Sequence, residues 1–239
     1  MDSMTGPYRY SWLLFDVDGT LLDYDAAEDH ALGAAAAAFG LKVTPEVRSL
    51  YRSINAALWA ELEKGTVSSA ELRVLRFDRL AARLGMTLDA ASFSEAYLAE
   101  LSRAGFLIDG AREMLDGLPE TISKAVITNG IRDTQYGRLT RAGILDEFDH
   151  IVISETAGAA KPSPLFFDYL MDLIGDVPLE RMLVIGDSLS SDIAGGVGYG
   201  IDTCWFNPGG KANDGPHAPT YEISDWREFV EVIGTDRET

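Results

Sequence analysis

Five short runs of the chain are apolar at nearly every position: WLLFDV (12–17), KAVIT (124–128), HIVIS (150–154), RMLVIG (181–186) and TCWFN (203–207). A strand with one wet face alternates apolar and polar residues, so runs without alternation predict strands covered on both faces. Parallel sheets flanked by helices meet that condition. Helical patterns lie between the later runs. Asp109 is placed to cap GAREMLDGL, and Asp133 to cap or begin TQYGRLTRA, which stops near Gly143. Ser163-Pro164 opens LFFDYLMDLI, which ends at Gly175. Strand and helix repeat in turn, which predicts right-handed crossovers and an α/β fold with a Rossmann-like, doubly wound parallel sheet. The Pro- and Gly-rich NPGGKANDGPHAPT reads as a surface loop before a last helix around 226–232.

The stretch from 24 to 105 breaks that rhythm. It carries no strand signal and four helical patterns, at 26–39, 45–62, 69–84 and 90–104. Thr44-Pro45 starts the second, and Ser68 with Glu71 forms a capping box for the third. Gly40, Gly65 and Gly85 mark the breaks. The expected organisation is a core of residues 1–22 and 106–239, interrupted by a helical cap of residues 23–105. Four helices inserted after the first strand are most simply a four-helix module on the sheet's C-terminal edge.

Charge and cysteine content narrow the function. The formal net charge of −18 disfavours nucleic-acid polymers, whose phosphates would be repelled. A small anion could bind only at a local positive centre such as a metal ion, a lysine or a helix N-terminus. The single cysteine, Cys204, excludes an internal disulfide and a cysteine zinc cluster, and suits a reducing compartment. The N-terminal residues lack the pattern of a secretory signal, and the alanine-rich ALGAAAAAFG is too short to span a bilayer. A cytoplasmic protein without membrane or nucleic-acid partners is expected, as a monomer or homodimer.

The polar residues that end the apolar runs are chemically selective. Asp16 and Asp18 close the first, Thr128-Asn129-Gly130 the second, and Asp187 the fourth, with Asp192 beyond; Lys161 lies in the loop after the third. Ligands bind outside the carboxyl ends of strands in an open parallel sheet, so these scattered residues converge on one crevice. Several carboxylates gathered there need a compensating cation, and all-oxygen ligation suits Mg2+. Asp16 and Asp187 are the natural carboxylate ligands, with the main-chain carbonyl near Asp18. A carboxylate held beside a phosphoryl group can act as nucleophile, and Asp18 is spaced to protonate the leaving group and then activate water. Thr128 and the amides of Asn129 and Gly130 offer donors to phosphoryl oxygens, and Lys161 a fixed positive charge.

FDVDGTLL, ITNG, AAKPSPLFF and IGDSLSSDIAGG resemble, in order and spacing, the four motifs of the haloacid dehalogenase-like hydrolase superfamily. The resemblance covers nearly the whole chain. It implies a capped Rossmann-like core and magnesium-dependent phosphotransfer. In the matching positions Asp16 is the nucleophile, Asp18 the acid/base, Thr128 the phosphate-binding hydroxyl and Lys161 the charge-neutralising lysine. Asp187 is a metal carboxylate, and Asp192 either reaches the metal through water or orients Lys161. Dehalogenases of the superfamily lack the acid/base aspartate, so Asp18 points to phosphoester chemistry. Residues 54–85, with their Asn-x-x-Leu-Trp and Gly-x-x-Ser features, are similar to the cap of the noncanonical pyrimidine nucleotidase subfamily. That similarity implies a small phosphorylated metabolite as substrate, namely a nucleoside 5′-monophosphate, with Asn55 or Trp59 on the substrate's side. A phosphoglycolate or sugar-phosphate phosphatase, or a phosphosugar mutase, is the alternative. A non-catalytic binding protein is the third, disfavoured because Asp16, Asp18, Lys161 and Asp187 are all intact.

Overall fold

The computed structural model describes residues 8–234. The elements run β1 (Trp12–Phe15), α1 (Tyr24–Ala38), α2 (Pro45–Glu63), α3 (Ser69–Leu84), α4 (Ala90–Arg103), α5 (Ala111–Asp116), β2 (Ser123–Thr128), α6 (Arg132–Ala142), β3 (His150–Ile153) and α7 (Ser154–Ala157). They continue with α8 (Pro164–Ile174), β4 (Met182–Gly186), α9 (Ala194–Tyr199), β5 (Asp202–Phe206), β6 (Tyr221–Ile223) and α10 (Phe229–Gly234). The six strands form one sheet in the order β3-β2-β1-β4-β5-β6, every pair parallel. This is the expected α/β fold, with α1–α4 inserted as a helical cap between β1 and β2. Among the described residues no helix is long and apolar enough to cross a membrane.

The burial that made five strands legible is observed. β4 is buried at every residue and β1 at three of four. On one side, Leu14, Ile127, Val152 and Val184 pack with Phe166, Phe167 and Leu170 of α8. Elsewhere in the core, Phe15 and Phe206 at the ends of β1 and β5 meet Trp226, whose ring stacks on Phe206 at 4.6 Å. β6 was not anticipated. It is three residues long and buries only Ile223, too little for a periodicity. Two caps also differ from expectation. Gly110, not Asp109, caps α5, in a left-handed conformation at φ +83°, and Ser163 makes no side-chain capping bond to α8, which begins on Pro164.

Within the cap, the local signals fold as written. Thr44 Oγ1 accepts from Val47 N, and Ser68 and Glu71 make both bonds of the capping box. Gly85 ends α3 at φ +63°. Phe77 centres the apolar interior, with ring centroids of Phe93 at 4.8 Å, Tyr97 at 5.2 Å and Tyr51 at 5.6 Å.

The described residues divide into two compact units, 8–23, 107–130 and 143–234 in one, and 24–106 with 131–142 in the other. The sequence boundaries placed α6 with the sheet, whereas it packs with the helices of the insertion. The reason is small residues. Arg138 Nε donates to Ala104 O at 3.2 Å, and a Cβ at Gly137 would overlap Ser102 Oγ and stand 2.9 Å from Ser102 O. Alanine in place of a helix-interior glycine ordinarily gains about 1 kcal/mol. Here Gly137→Ala is expected to cost about 1–3 kcal/mol instead, the range for overpacking. Urea denaturation checks this, and a stabilised variant would contradict the close contact of α4 and α6.

Candidate active site

Sheet order dictates where polar side chains gather. β1 is central, the chain leaves it toward β2 and β3 on one side and returns to β4, β5 and β6 on the other. The crevice at such a reversal lies at the carboxyl ends of β1 and β4. Asp16 follows β1 directly, and its amide donates to Ile185 O at 2.8 Å, carrying the strand pairing one residue onward. Thr128 is the last residue of β2, and Asp187 follows β4.

Lys161 arrives from the loop between α7 and α8. Its side chain is 1% exposed, and its ammonium donates to Asp16 Oδ1 at 2.8 Å, Asp192 Oδ1 at 2.6 Å and Ile127 O at 2.6 Å. The three N–H bonds of the ammonium thus have three acceptors. Its main chain is gripped as well. Asn129 Oδ1 accepts from Lys161 N at 2.8 Å, and Asn129 Nδ2 donates to Lys161 O at 2.9 Å. The Asn129 side chain is therefore a clamp on the lysine. Gly130 N donates to Thr128 Oγ1 at 3.0 Å.

Carboxylate oxygens of Asp16, Asp187 and Asp192 lie within 4.8 Å of one another, a spacing open to one shared cation. Asp192 is fully buried, with Oδ2 accepting from Ser188 N at 3.1 Å. Two glycines make the room. A Cβ on Gly186 would overlap the Asp192 carboxylate, and one on Gly19, already at φ +83°, would stand 2.6 Å from Asp187 Oδ2. Asp18 is half-buried and pairs as an isolated bridge with Leu22, in the tight turn that leads out to α1; its carboxylate is outside the three-residue cluster.

Crowding dominates the electrostatics. Burial pushes the Asp16 carboxyl well up, against the pull of Lys161 and with repulsion from Asp192 and Asp187. Burial and the Asp192 charge push Asp187 up to about 7, opposed by Lys211 and then Lys161. At Lys161 burial works downward, but Asp16 and Asp192 outweigh it and the net shift is upward. One ammonium cannot neutralise three carboxylates. An all-oxygen donor set with a deficit of positive charge fits a hard divalent cation.

The cap residues singled out in the sequence behave differently. Asn55 is 3% exposed, and its Nδ2 donates to Tyr24 Oη at 3.1 Å and Glu28 Oε1 at 2.9 Å, while its Oδ1 is buried without a partner. Trp59 is half-buried on α2. Sequence reasoning missed Thr20, whose Oγ1 lies 3.5 Å from Asp16 Oδ2, and Lys211, which lay in the stretch read as a loop. A lysine just beyond the end of β5 was the available signal for Lys211.

The chain matches the haloacid dehalogenase-like hydrolase family over residues 13–206. Its fold superimposes on the magnesium-bound crystal structure of the HAD-hydrolase YfnB from Bacillus subtilis with a TM-score of 0.88 and 38% identity, covering 94% of this chain and 98% of that one. It is 37% identical to the pyrimidine 5′-nucleotidase PynA of Streptococcus pneumoniae over 94% of this chain and 95% of that protein. It is 31% identical to the pyrimidine 5′-nucleotidase YjjG of Escherichia coli, covering 94% and 98%.

The raised Asp187 has a testable consequence. Its folded pKa of about 7 exceeds the ordinary 3.8, so the metal-free native state holds a proton the unfolded chain has released. That contribution to stability is complete below the unfolded pKa and lost as pH rises through about 7. A bound cation must displace the same proton. Adding magnesium is therefore expected to raise the melting temperature more at pH 8 than at pH 5.5. Asp187→Asn should melt higher than the parent protein in chelator at pH 8 and respond little to magnesium. Differential scanning calorimetry in chelator and in magnesium checks both, and equal magnesium increments at the two pH values would count against the shared cation site.

Proposed function

Since the chain belongs to the haloacid dehalogenase-like hydrolase family, we propose that it is a magnesium-dependent phosphatase of small phosphomonoesters, acting on nucleoside 5′-monophosphates and on pyrimidine nucleotides foremost. The observation that carries the reading is the convergence of Asp16, Lys161, Asp187 and Asp192 at the carboxyl ends of the central strands, with Asp18 two residues beyond Asp16. Two relatives matched over nearly their whole length and named as pyrimidine 5′-nucleotidases support the substrate class.

Asp16 and Asp187, with the main-chain carbonyl of Asp18, would hold the metal. Asp192, which accepts from Lys161 and from Ser188 N, orients the lysine beside the metal site. When bound, magnesium supplies positive charge to the carboxylates and to the phosphoryl oxygens. Lys161 fixes Asp16 Oδ1 and so sets the rotamer of the nucleophile. The Asp16 carboxylate attacks phosphorus, a P–O bond forms to Asp16, and the P–O bond to the leaving oxygen breaks as Asp18 delivers a proton to that oxygen. Asp18, now a carboxylate, takes a proton from water. The water oxygen attacks phosphorus, the P–O bond to Asp16 breaks, and phosphate departs with Asp16 restored. Thr128, whose oxygen accepts from Gly130 N, would offer its O–H to the phosphoryl oxygens, with the main-chain amide of Asn129 as a second donor.

In the cap, Asn55 with its unpartnered buried Oδ1 supports a role in reading the base, and the Trp59 ring a role in stacking on it.

Phosphate release measured with magnesium over pyrimidine and purine nucleotides, sugar phosphates and phosphoglycolate tests the reading. Uridine and thymidine monophosphates are expected to lead. Asp16→Asn should abolish release, and Asp18→Asn should slow it by about 10²–10⁴-fold. Excess chelator should stop turnover. A sugar phosphate preferred over every nucleotide would overturn the substrate class, and turnover surviving Asp16→Asn would overturn the covalent route.

A further inference from the structure

The clamp on Lys161 occurs twice. At the end of β5 the chain turns through Asn207 to Gly210, at φ +59°, and brings Lys211 back over the Asn207 side chain. Asn207 Oδ1 accepts from Lys211 N at 2.9 Å, and Asn207 Nδ2 donates to Lys211 O at 2.9 Å. These are the same two bonds that Asn129 makes to Lys161, again from the carboxyl end of a strand. Asn207 is itself anchored, 2% exposed, with its amide donating to Ile223 O at 2.7 Å and its Nδ2 to Glu222 Oε1 of β6 at 2.6 Å. A loop lysine held this firmly in its main chain has little backbone entropy left to lose on binding.

The two lysines differ at the ammonium. Lys161 is buried and its three N–H bonds are satisfied inside the protein. Lys211 is exposed, and among the described residues its Nζ makes no ion pair or hydrogen bond. Its loop nevertheless leaves the same edge of the sheet as the cluster, because β5 pairs with β4 and Asn207 follows β5 as Asp187 follows β4. The link is also mechanical, since Trp205 in β5 donates its indole N–H to Asp187 O at 3.0 Å. In a chain of net charge −18, a dianionic phosphate needs a local cation at the crevice.

We propose that Lys211 is a substrate-binding cation of this site, its ammonium donating to the phosphate oxygens of the phosphomonoester while Lys161 holds the nucleophile. The inference rests on the phosphatase reading for its ligand class, and adds a residue outside the four motifs. An exposed cation that contacts phosphate in ground state and transition state alike contributes uniform binding, which appears in KM and in product affinity rather than in kcat.

The test uses the full chain with magnesium. Binding of inorganic phosphate is measured by titration calorimetry, and hydrolysis of uridine monophosphate by phosphate release, for Lys211→Ala, Lys211→Arg and the control Lys42→Ala. Lys42 is an exposed cap residue whose loss changes net charge equally. Lys211→Ala is expected to weaken phosphate binding and raise KM about tenfold, the scale of one charge-assisted hydrogen bond, with kcat within about twofold. Lys211→Arg should recover most of the loss, and the control none of it. Magnesium affinity supplies an opposite sign, because removing a positive charge near Asp187 should tighten the metal while phosphate loosens. Unchanged phosphate affinity in Lys211→Ala would overturn the proposal, as would a fall in kcat at constant KM. A parent protein that binds phosphate through Lys211 yet hydrolyses no phosphomonoester would instead count against the phosphatase reading.

Discussion

The ammonium of Lys161 is the fixed point of the molecule's chemistry. It is surrounded by two carboxylates and a main-chain carbonyl, all within 2.8 Å. Taking a lysine out of water is costly, and the Coulomb gain offsets that cost only when every N–H has an acceptor in good geometry. The surroundings meet that demand in layers. β1 delivers Asp16 by continuing its pairing with β4, Asn129 grips the lysine's main chain, and Ser188 N holds the far oxygen of Asp192. The arrangement still leaves an excess of negative charge, so the sheet carries at its centre a cluster that is under-neutralised without a cation. Stability has been given up there for chemistry.

Space in this cluster is as tightly controlled as charge. Gly186 ends β4 where any side chain would collide with Asp192, and Gly19 turns the chain away where any side chain would press on Asp187. These positions let main chain come within reach of carboxylates, which is how three acidic side chains fit at the ends of adjacent strands. Gly19 also begins the exit to the helices. Its amide bonds Leu22 O, Ile108 N bonds Leu21 O, and Leu22 bridges Leu107, so the outgoing and returning segments are tied together beside the residues they serve.

What the sequence revealed follows from which features are local. Strands covered on both faces announce themselves by composition, helix starts by Thr44 and by Ser68 with Glu71, and the motif residues by their place at strand ends. Whatever depends on distant contacts stayed hidden. β6 buries one residue and exists because β5 pairs with it. The packing of α6 on α4 depends on Gly137 facing Ser102, a match between residues 35 apart that neither helix displays alone. The Asn129 clamp on Lys161 spans 32 residues, so the sequence suggested only the main-chain amide of this asparagine as a donor and gave no sign of its side chain's part. Lys211 was overlooked for the opposite reason, because a glycine-rich loop looks permissive until Asn207 is seen holding it.

The division of labour between the two compact units then has a physical basis. Every member of the carboxylate–lysine cluster, with its clamps and glycines, belongs to the unit that contains the sheet. The helical unit has an interior of its own, in which Arg76, 1% exposed, lies over the rings of Phe77 and Tyr97, and Asn55 binds Glu28 and Tyr24. The partners that hold Asp16, Asp192 and Lys161, among them Ser188 and Asn129, belong to the sheet unit. Residues such as Asn55 or Trp59 can therefore vary without disturbing the hydrogen bonds that hold Asp16, Asp192 and Lys161. A chain built on such a plan can change its helical insertion without retuning the hydrogen bonds of the carboxylate–lysine cluster.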